Sequence, residues 1–405
     1  MTSTVEPGNA GGGEDAASSA MRRRCIAGVI VSLTLGGAAM GMTSPLVAFS
    51  LKKLGVSATV IGANSAMQAV ALLALVFALP GLLRVLGAVR AIYAGLALWA
   101  GGALLMSAFS GPGPWLGLRL FLSVGFGIHW IVGEAWINAA ATERNRGRVI
   151  GIYVTLAALG FASGPVILDV TGFEGVLPFA VVAVIVAAAA APLVLMPKVA
   201  SPQMPEATDN FANVARIAPV AMAMGLIAGF CDVTLAAMFP VYGLDIGLTT
   251  EGTIGLLVAF LIGTAVLQWP LGWLTEHVRL NLLAIACSLL VIAAALVMPH
   301  LARWPAALAV VMFLWGGAQI GFYTLGLVEL GVRFKFGELV GANTVFAFLY
   351  GVGALTGPLA GGAAMDAWGP NGLPVTLAAA AGLLLLLGVT APLRRGSQPA
   401  AARRL

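Results

Sequence analysis

Charge is scarce in this chain. Only 9% of its 405 residues are Asp, Glu, Lys or Arg, against about 25% in an ordinary soluble domain. Apolar residues make up 60%, and the mean hydropathy is +1.00. No soluble fold of this size buries so much apolar surface, so a water-soluble enzyme is excluded. Disorder is excluded by the same composition. Cysteine is nearly absent: Cys25, Cys231 and Cys287 lie far apart in apolar runs. They form neither a disulfide framework nor a metal spacing. No His-Glu-x-x-His, P-loop or Rossmann glycine pattern is present, so neither catalysis nor ATP-driven transport by this chain alone is expected. The formal net charge of +5 is spread between apolar runs, unlike the clustered basic face of a nucleic-acid binder.

Long apolar runs are what the chain does have. A helix needs about 20 apolar residues to cross the hydrocarbon. Twelve segments qualify: 25–50, 57–82, 89–110, 115–140, 149–170, 176–197, 217–243, 253–275, 280–299, 305–331, 339–365 and 373–392. Residues 1–21 read as a disordered cytoplasmic tail. A cleaved signal is not expected, because the run behind Arg22, Arg23 and Arg24 continues to about Leu51. Basic residues in short loops set orientation. With the N-terminus inside, 17 of the 21 Lys and Arg fall in cytoplasmic segments, and Lys52, Lys53 and Arg303 fall outside. Both termini are therefore expected in the cytoplasm, with the protein in the inner membrane.

The polar stretch 198–216, with Pro202 and Pro205, separates two six-span halves, 22–197 and 217–393, and a short basic tail, 394–405, follows. The halves resemble each other. Glu134 leads through TERNRGRVIG to Pro165, and Glu329 leads through VRFKFGELVG to Pro358. Pro45 and Gly62 are matched by Pro240 and Gly255. The offset is 193–195 residues throughout. The expected fold is an all-α membrane protein, with twelve transmembrane helices in two pseudo-symmetric six-helix bundles.

These residues resemble the major facilitator superfamily over about 22–395. GEAWIN and TERNRGRVIGIY around the end of span four, and LQWPLGWLTEH closing span eight, resemble its YcaD-like branch, which also holds riboflavin importers and CcoA-type copper importers. The resemblance implies a secondary transporter with spans one, four, seven and ten around a central site. It implies gate elements at Gly87 and Arg90 after span two and at Glu276 after span eight, although Arg84 stands where the first copy should carry an acid. It also implies Gly-Pro elements at Gly164–Pro165 and Gly357–Pro358, and a span-four signature at Arg119, Gly125 and Gly127. Copper is disfavoured. Span seven offers TLAAM, and span eight has no histidine before His277. Met40, Met42, Met222, Met224 and Met238 read as a metal path or, more simply, as adaptable core filling.

An ionisable side chain in hydrocarbon is costly and so faces a partner or a water-filled passage. In span four, Arg119, Ser123, Trp130, Glu134 and Asn138 fall near one helical stripe. Either they line a passage, with Glu134 accepting protons, or Arg119 tethers a neighbouring helix and Glu134 pairs with Arg144. Asp232 reads as a proton-coupling acid or as a neutral acid bonded to backbone. His129 is a possible relay or a packed histidine. Glu329 is expected to pair with Arg333 four residues on. Trp315, Gln319 and Tyr323 form an i, i+4, i+8 stripe suited to a flat, partly apolar ligand. Gln68 either lines the cavity or bonds a neighbour. The function these residues imply is proton-coupled movement of a small organic solute, with import of a planar vitamin such as riboflavin first. Efflux of drugs or metabolites, or a transport-inactive sensor, are the alternatives. Expected partners are the solute and the bilayer. No cofactor is expected, and a monomer is the expected state.

Overall fold

A computed structural model describes residues 11–109, 111–141, 146–194, 211–334 and 336–390. The described chain is helical throughout. The first half comprises α1 (Gly11–Lys53), α2 (Ala58–Leu86), α3 (Ala88–Ala108), α4 (Pro112–Ala140), α5 (Arg146–Thr171) and α6 (Leu177–Val194). A short helix, α7 (Phe211–Ile217), leads into the second half. That half comprises α8 (Pro219–Asp245), α9 (Thr250–His277), α10 (Leu280–Val297), α11 (Pro305–Arg333), α12 (Phe336–Trp368) and α13 (Gly372–Thr390). Among the described residues, twelve helices are long and apolar enough to cross a membrane.

Two boundaries differ from the sequence expectation. Helix α1 starts at Gly11, well within the segment expected to be a disordered tail. Adding turns to an existing helix avoids the nucleation cost, and AASSAM offers no breaker. Helix α2 runs four residues past 82 and is separated from α3 by Gly87 alone, whose φ of 73° turns the chain. The polar linker is helical at its end, in α7, whereas 195–210 and 391–405 lie outside the described residues.

Equivalent glycines bring equivalent helices together in the two halves. A Cβ on Gly160 would overlap the Thr34 carbonyl oxygen, and one on Gly164 would overlap the Met42 nitrogen, so α5 packs directly on α1. Their repeat mates do the same to α8. A Cβ on Gly353 would strike the Leu226 carbonyl oxygen, and one on Gly357 the Thr234 hydroxyl. Lipid tails offer no hydrophobic drive between helices, so close packing of small residues supplies the association.

The halves meet mainly through α2 with α12, α5 with α9, and α1 with α8. Lys52 at the end of α1 pairs with Asp245 at the end of α8, 2.5 Å apart. Asp366 of α12 accepts from the Ala58 and Thr59 amides at 2.9 Å each and from the Thr59 hydroxyl at 2.6 Å. The Gly62 Cα lies against the Pro358 carbonyl, and that of Gly362 against the Ala58 carbonyl. These contacts close the end that carries the α1–α2, α5–α6, α8–α9 and α12–α13 turns, called here the sealed end. Helix α7 and the start of α8 lie at the other, the open end. Trp304 and Trp368 are exposed near the sealed end, and Trp269 and Trp273 toward the other, as in the aromatic belts of membrane interfaces.

Candidate functional site

Asp232 stands thirteen residues from either end of α8, about 20 Å deep by helical rise. A bare carboxylate there would be strongly disfavoured, and two neighbouring helices supply donors. The Gln319 Nε2 on α11 donates to Asp232 Oδ1 at 2.6 Å, and the Tyr350 hydroxyl on α12 donates to Oδ2 at 3.1 Å. The Trp315 indole N–H donates to Gln319 Oε1 at 2.8 Å. Trp315 can only donate and a carboxylate only accept, so the amide has one consistent orientation. Trp315 and Gln319 are fully buried, whereas Asp232 and Tyr350 keep partial exposure. The stripe Trp315, Gln319, Tyr323 is thus real, but its first two members stand behind Asp232. Asp232 is bonded to the side chains of Gln319 and Tyr350 instead of to backbone.

Tyr323, one turn beyond Gln319, forms a corner of perpendicular rings. It meets Tyr350 at 5.7 Å and 84°, and Phe346 at 5.3 Å and 68°. It is also within electrostatic reach of both Asp232 and Glu134. Glu134 belongs to α4 in the other half, so the inner faces of the two halves confront each other here. Glu134 is exposed and takes a hydrogen bond from Tyr153 of α5. Trp130, one turn before it, is half-buried against Tyr153 at 6.1 Å and Phe161 at 5.4 Å. Two carboxylates from opposite halves therefore flank a group of aromatic rings, with solvent access, between the middle of the membrane and the open end. Asn138 is exposed one turn on from Glu134, and its amide donates to the Glu134 carbonyl at 3.0 Å. Arg144, the alternative partner of Glu134, lies outside the described residues.

The outer part of the span-four stripe behaves differently, which corrects its reading as one lining face. Arg119 and Ser123 are buried. The Arg119 Nη2 donates to Gln68 Oε1 on α2 at 3.2 Å, and its Nε and Nη1 have no partner among the described residues. A helix in a closed stretch of bundle has protein on the face that opens lower down. In this state Arg119, Ser123 and Gln68 lie where α4 is tethered to α2. His129 is likewise removed from the passage. Its Nε2 meets the Ser32 hydroxyl at 2.9 Å, and that hydroxyl donates to the Ala189 carbonyl at 2.7 Å. His129 therefore joins α4 to α1 and α6, a dry packing role instead of the relay. Glu329 pairs with Arg333 at 2.5 Å, the intrahelical pair its spacing implied.

The gate elements divide by end. Gly164 and Gly357 sit at close helix contacts, and Pro358 presents its carbonyl to Gly62 across the seam. Pro165 lies within α5. Gly87 turns the α2–α3 corner, and Arg90 and Glu276 are exposed at the open end. The methionines Met40, Met42, Met222, Met224 and Met238 are buried in apolar core. Sequence reasoning missed Tyr153, Tyr350 and Asp366. Tyrosine is rare here, with five in the chain, and nothing in the spacing of Tyr153 and Tyr350 marks them, because only the fold gathers them with Tyr323.

A model of the Major Facilitator Superfamily matches residues 29–260. The MFS-type transporter YfkF of Bacillus subtilis (strain 168) is 26% identical over 347 residues, 82% of this chain and 87% of that protein. The MFS-type transporter YcaD of Escherichia fergusonii is 24% identical over 312 residues, 76% of this chain and 80% of that one. A crystal structure of the nucleoside transporter NupG superposes with a TM-score of 0.69 at 13% identity, covering 91% of this chain and 97% of its own. A bacterial homolog of the human lysosomal transporter Spinster, inward-facing and unoccupied, gives 0.65 at 14% identity, covering 91% and 95%. At such identities the two structures speak for the fold alone.

Proposed function

Since the chain belongs to the major facilitator superfamily, we propose that it is a proton-coupled carrier of a small, flat organic solute that works by alternating access. The observation that carries this reading is the pair Glu134 and Asp232. They come from opposite halves, lie within electrostatic reach of Tyr323, and form no ion pair among the described residues. A carboxyl group without a fixed counter-ion, reached by water, can load and release a proton as the halves move. The seam closed by Asp366, Lys52 and Asp245 would be the outer gate. The open end would face the cytoplasm, where 17 of 21 basic residues fall. The aromatic rings suit a planar body, so riboflavin is the first vitamin to try. Expulsion of drugs or metabolites uses the same machinery in the other direction.

Vesicles carrying the purified protein test this reading. At least one member of a panel of neutral and charged planar solutes, riboflavin included, should move faster with an imposed pH gradient than without one, and the sign of the effect gives the direction. Glu134→Gln should abolish the response to the gradient. Absence of flux for every solute, with or without the gradient, would refute the reading.

A further inference from the structure

We propose that the passenger is an organic cation, its positive nitrogen seated at Asp232 in the corner formed by Tyr323 and Tyr350; this rests on the transporter reading above. Each carboxylate oxygen of Asp232 has one hydrogen bond, from Gln319 or from Tyr350. A carboxylate accepts about four, so acceptor capacity remains toward the hollow, where Asp232 is partly exposed.

The cations that could neutralise this acid from within are engaged elsewhere. Arg333 is taken by Glu329 and Lys52 by Asp245. Arg119 is buried and held by Gln68. Acids and ring faces therefore set the character of the corner. Among the described residues, an anionic passenger there would meet two carboxylates and no cation paired with either. Tyr323 packs edge-to-face on Tyr350, at 84°, and both rings keep partial exposure beside Asp232. A cation within about 6 Å of a ring face is attracted by the ring quadrupole. Gln319, anchored by the buried Trp315, holds Asp232 in place from behind.

Charge balance makes the cation and the proton competitors. When the cation binds, protonated Asp232 gives its proton to water in the hollow, and the carboxylate is neutralised by the passenger instead. One proton leaves for each cation held.

Isothermal titration of the purified full-length protein in detergent tests this with three probes sharing one ring system: N-methylacridinium, neutral acridine at pH 8, and acridine-9-carboxylate. The expected result is binding of the cation, with the neutral and anionic probes at least tenfold weaker. Cation affinity should fall on acidification, and buffers of different ionisation enthalpy should reveal proton release. Asp232→Asn should weaken the cation at least tenfold, Asp232→Glu should retain it, and Tyr323→Phe should retain it where Tyr323→Leu does not. Unchanged thermal midpoints certify that the variants fold. Equal or tighter binding of the neutral or anionic probe, no binding of the cation, or cation binding untouched by Asp232→Asn would each overturn the proposal. Flux of a neutral or anionic solute in vesicles, with no cation binding, would sink this inference alone. Cation binding without flux of any solute would sink the carrier reading and leave the site standing.

Discussion

Gln319 is the residue on which the second half's polar chemistry turns. It is buried, it accepts a hydrogen bond from Trp315, and it donates one to Asp232. Gln319→Leu leaves the Trp315 N–H without a partner and strips Asp232 of one donor. The expected cost is about 1–3 kcal/mol of stability for each orphaned group, read as a lowered thermal midpoint in detergent, together with loss of transport. An unchanged midpoint would show that the relay is not formed. Arg119 makes the opposite case. Its guanidinium is buried with one hydrogen bond and, among the described residues, two nitrogens without a partner. Replacing an imperfectly paired buried charge by an apolar side chain of similar length is often neutral or stabilising. Arg119→Met should therefore hold or raise the thermal midpoint while impairing transport. A midpoint lowered by many degrees would mean that Arg119 has a partner the geometry does not reveal.

At the scale of the helix, the contact of α12 with α2 is the one to break. Asp366 accepts three hydrogen bonds from Ala58 and Thr59. It thus satisfies donors at the start of α2 that have no intrahelical partner. Asp366→Ala should loosen the sealed end, seen as faster thiol labelling of a cysteine placed at the buried Ala58, and Asp366→Asn should do so less. Gly62→Val would drive a branched side chain into the Pro358 carbonyl oxygen and should raise the same labelling rate. Labelling as slow as in the parent would contradict the latch.

The helices themselves were legible from the sequence because apolar length is counted without reference to neighbours. The repeat was legible too, since Gly164 packs α5 on α1 and Gly357 packs α12 on α8, the equivalent pair, at the same offset. Which face of α4 opens to the passage was not legible. Both sides of a membrane helix are apolar, so periodicity gives an angle but not the neighbour at that angle. His129 and Trp130 are adjacent, yet one is bonded to Ser32 in dry packing and the other faces Tyr153 and Phe161. Tyr153 and Tyr350 carried no motif, and only the fold brings them to Glu134 and Asp232.

The whole molecule is two similar bundles joined at one end and parted over the acids between them. Closure at the sealed end is built from few polar contacts plus glycine-to-carbonyl approaches, a combination that can separate without unfolding either bundle. Alternating exposure of one site is the motion such a design permits. The native cysteines Cys25, Cys231 and Cys287 are free and buried, so a thiol pair introduced at the seam can be addressed alone. The most direct measurement is solute flux in vesicles by the Thr59→Cys, Asp366→Cys double variant, whose side chains meet across the seam, before oxidation, after it, and after reduction. Oxidation should stop flux by holding the sealed end shut, and reduction should restore it. Flux that continues undiminished with the disulfide formed would contradict a carrier that must open at this end.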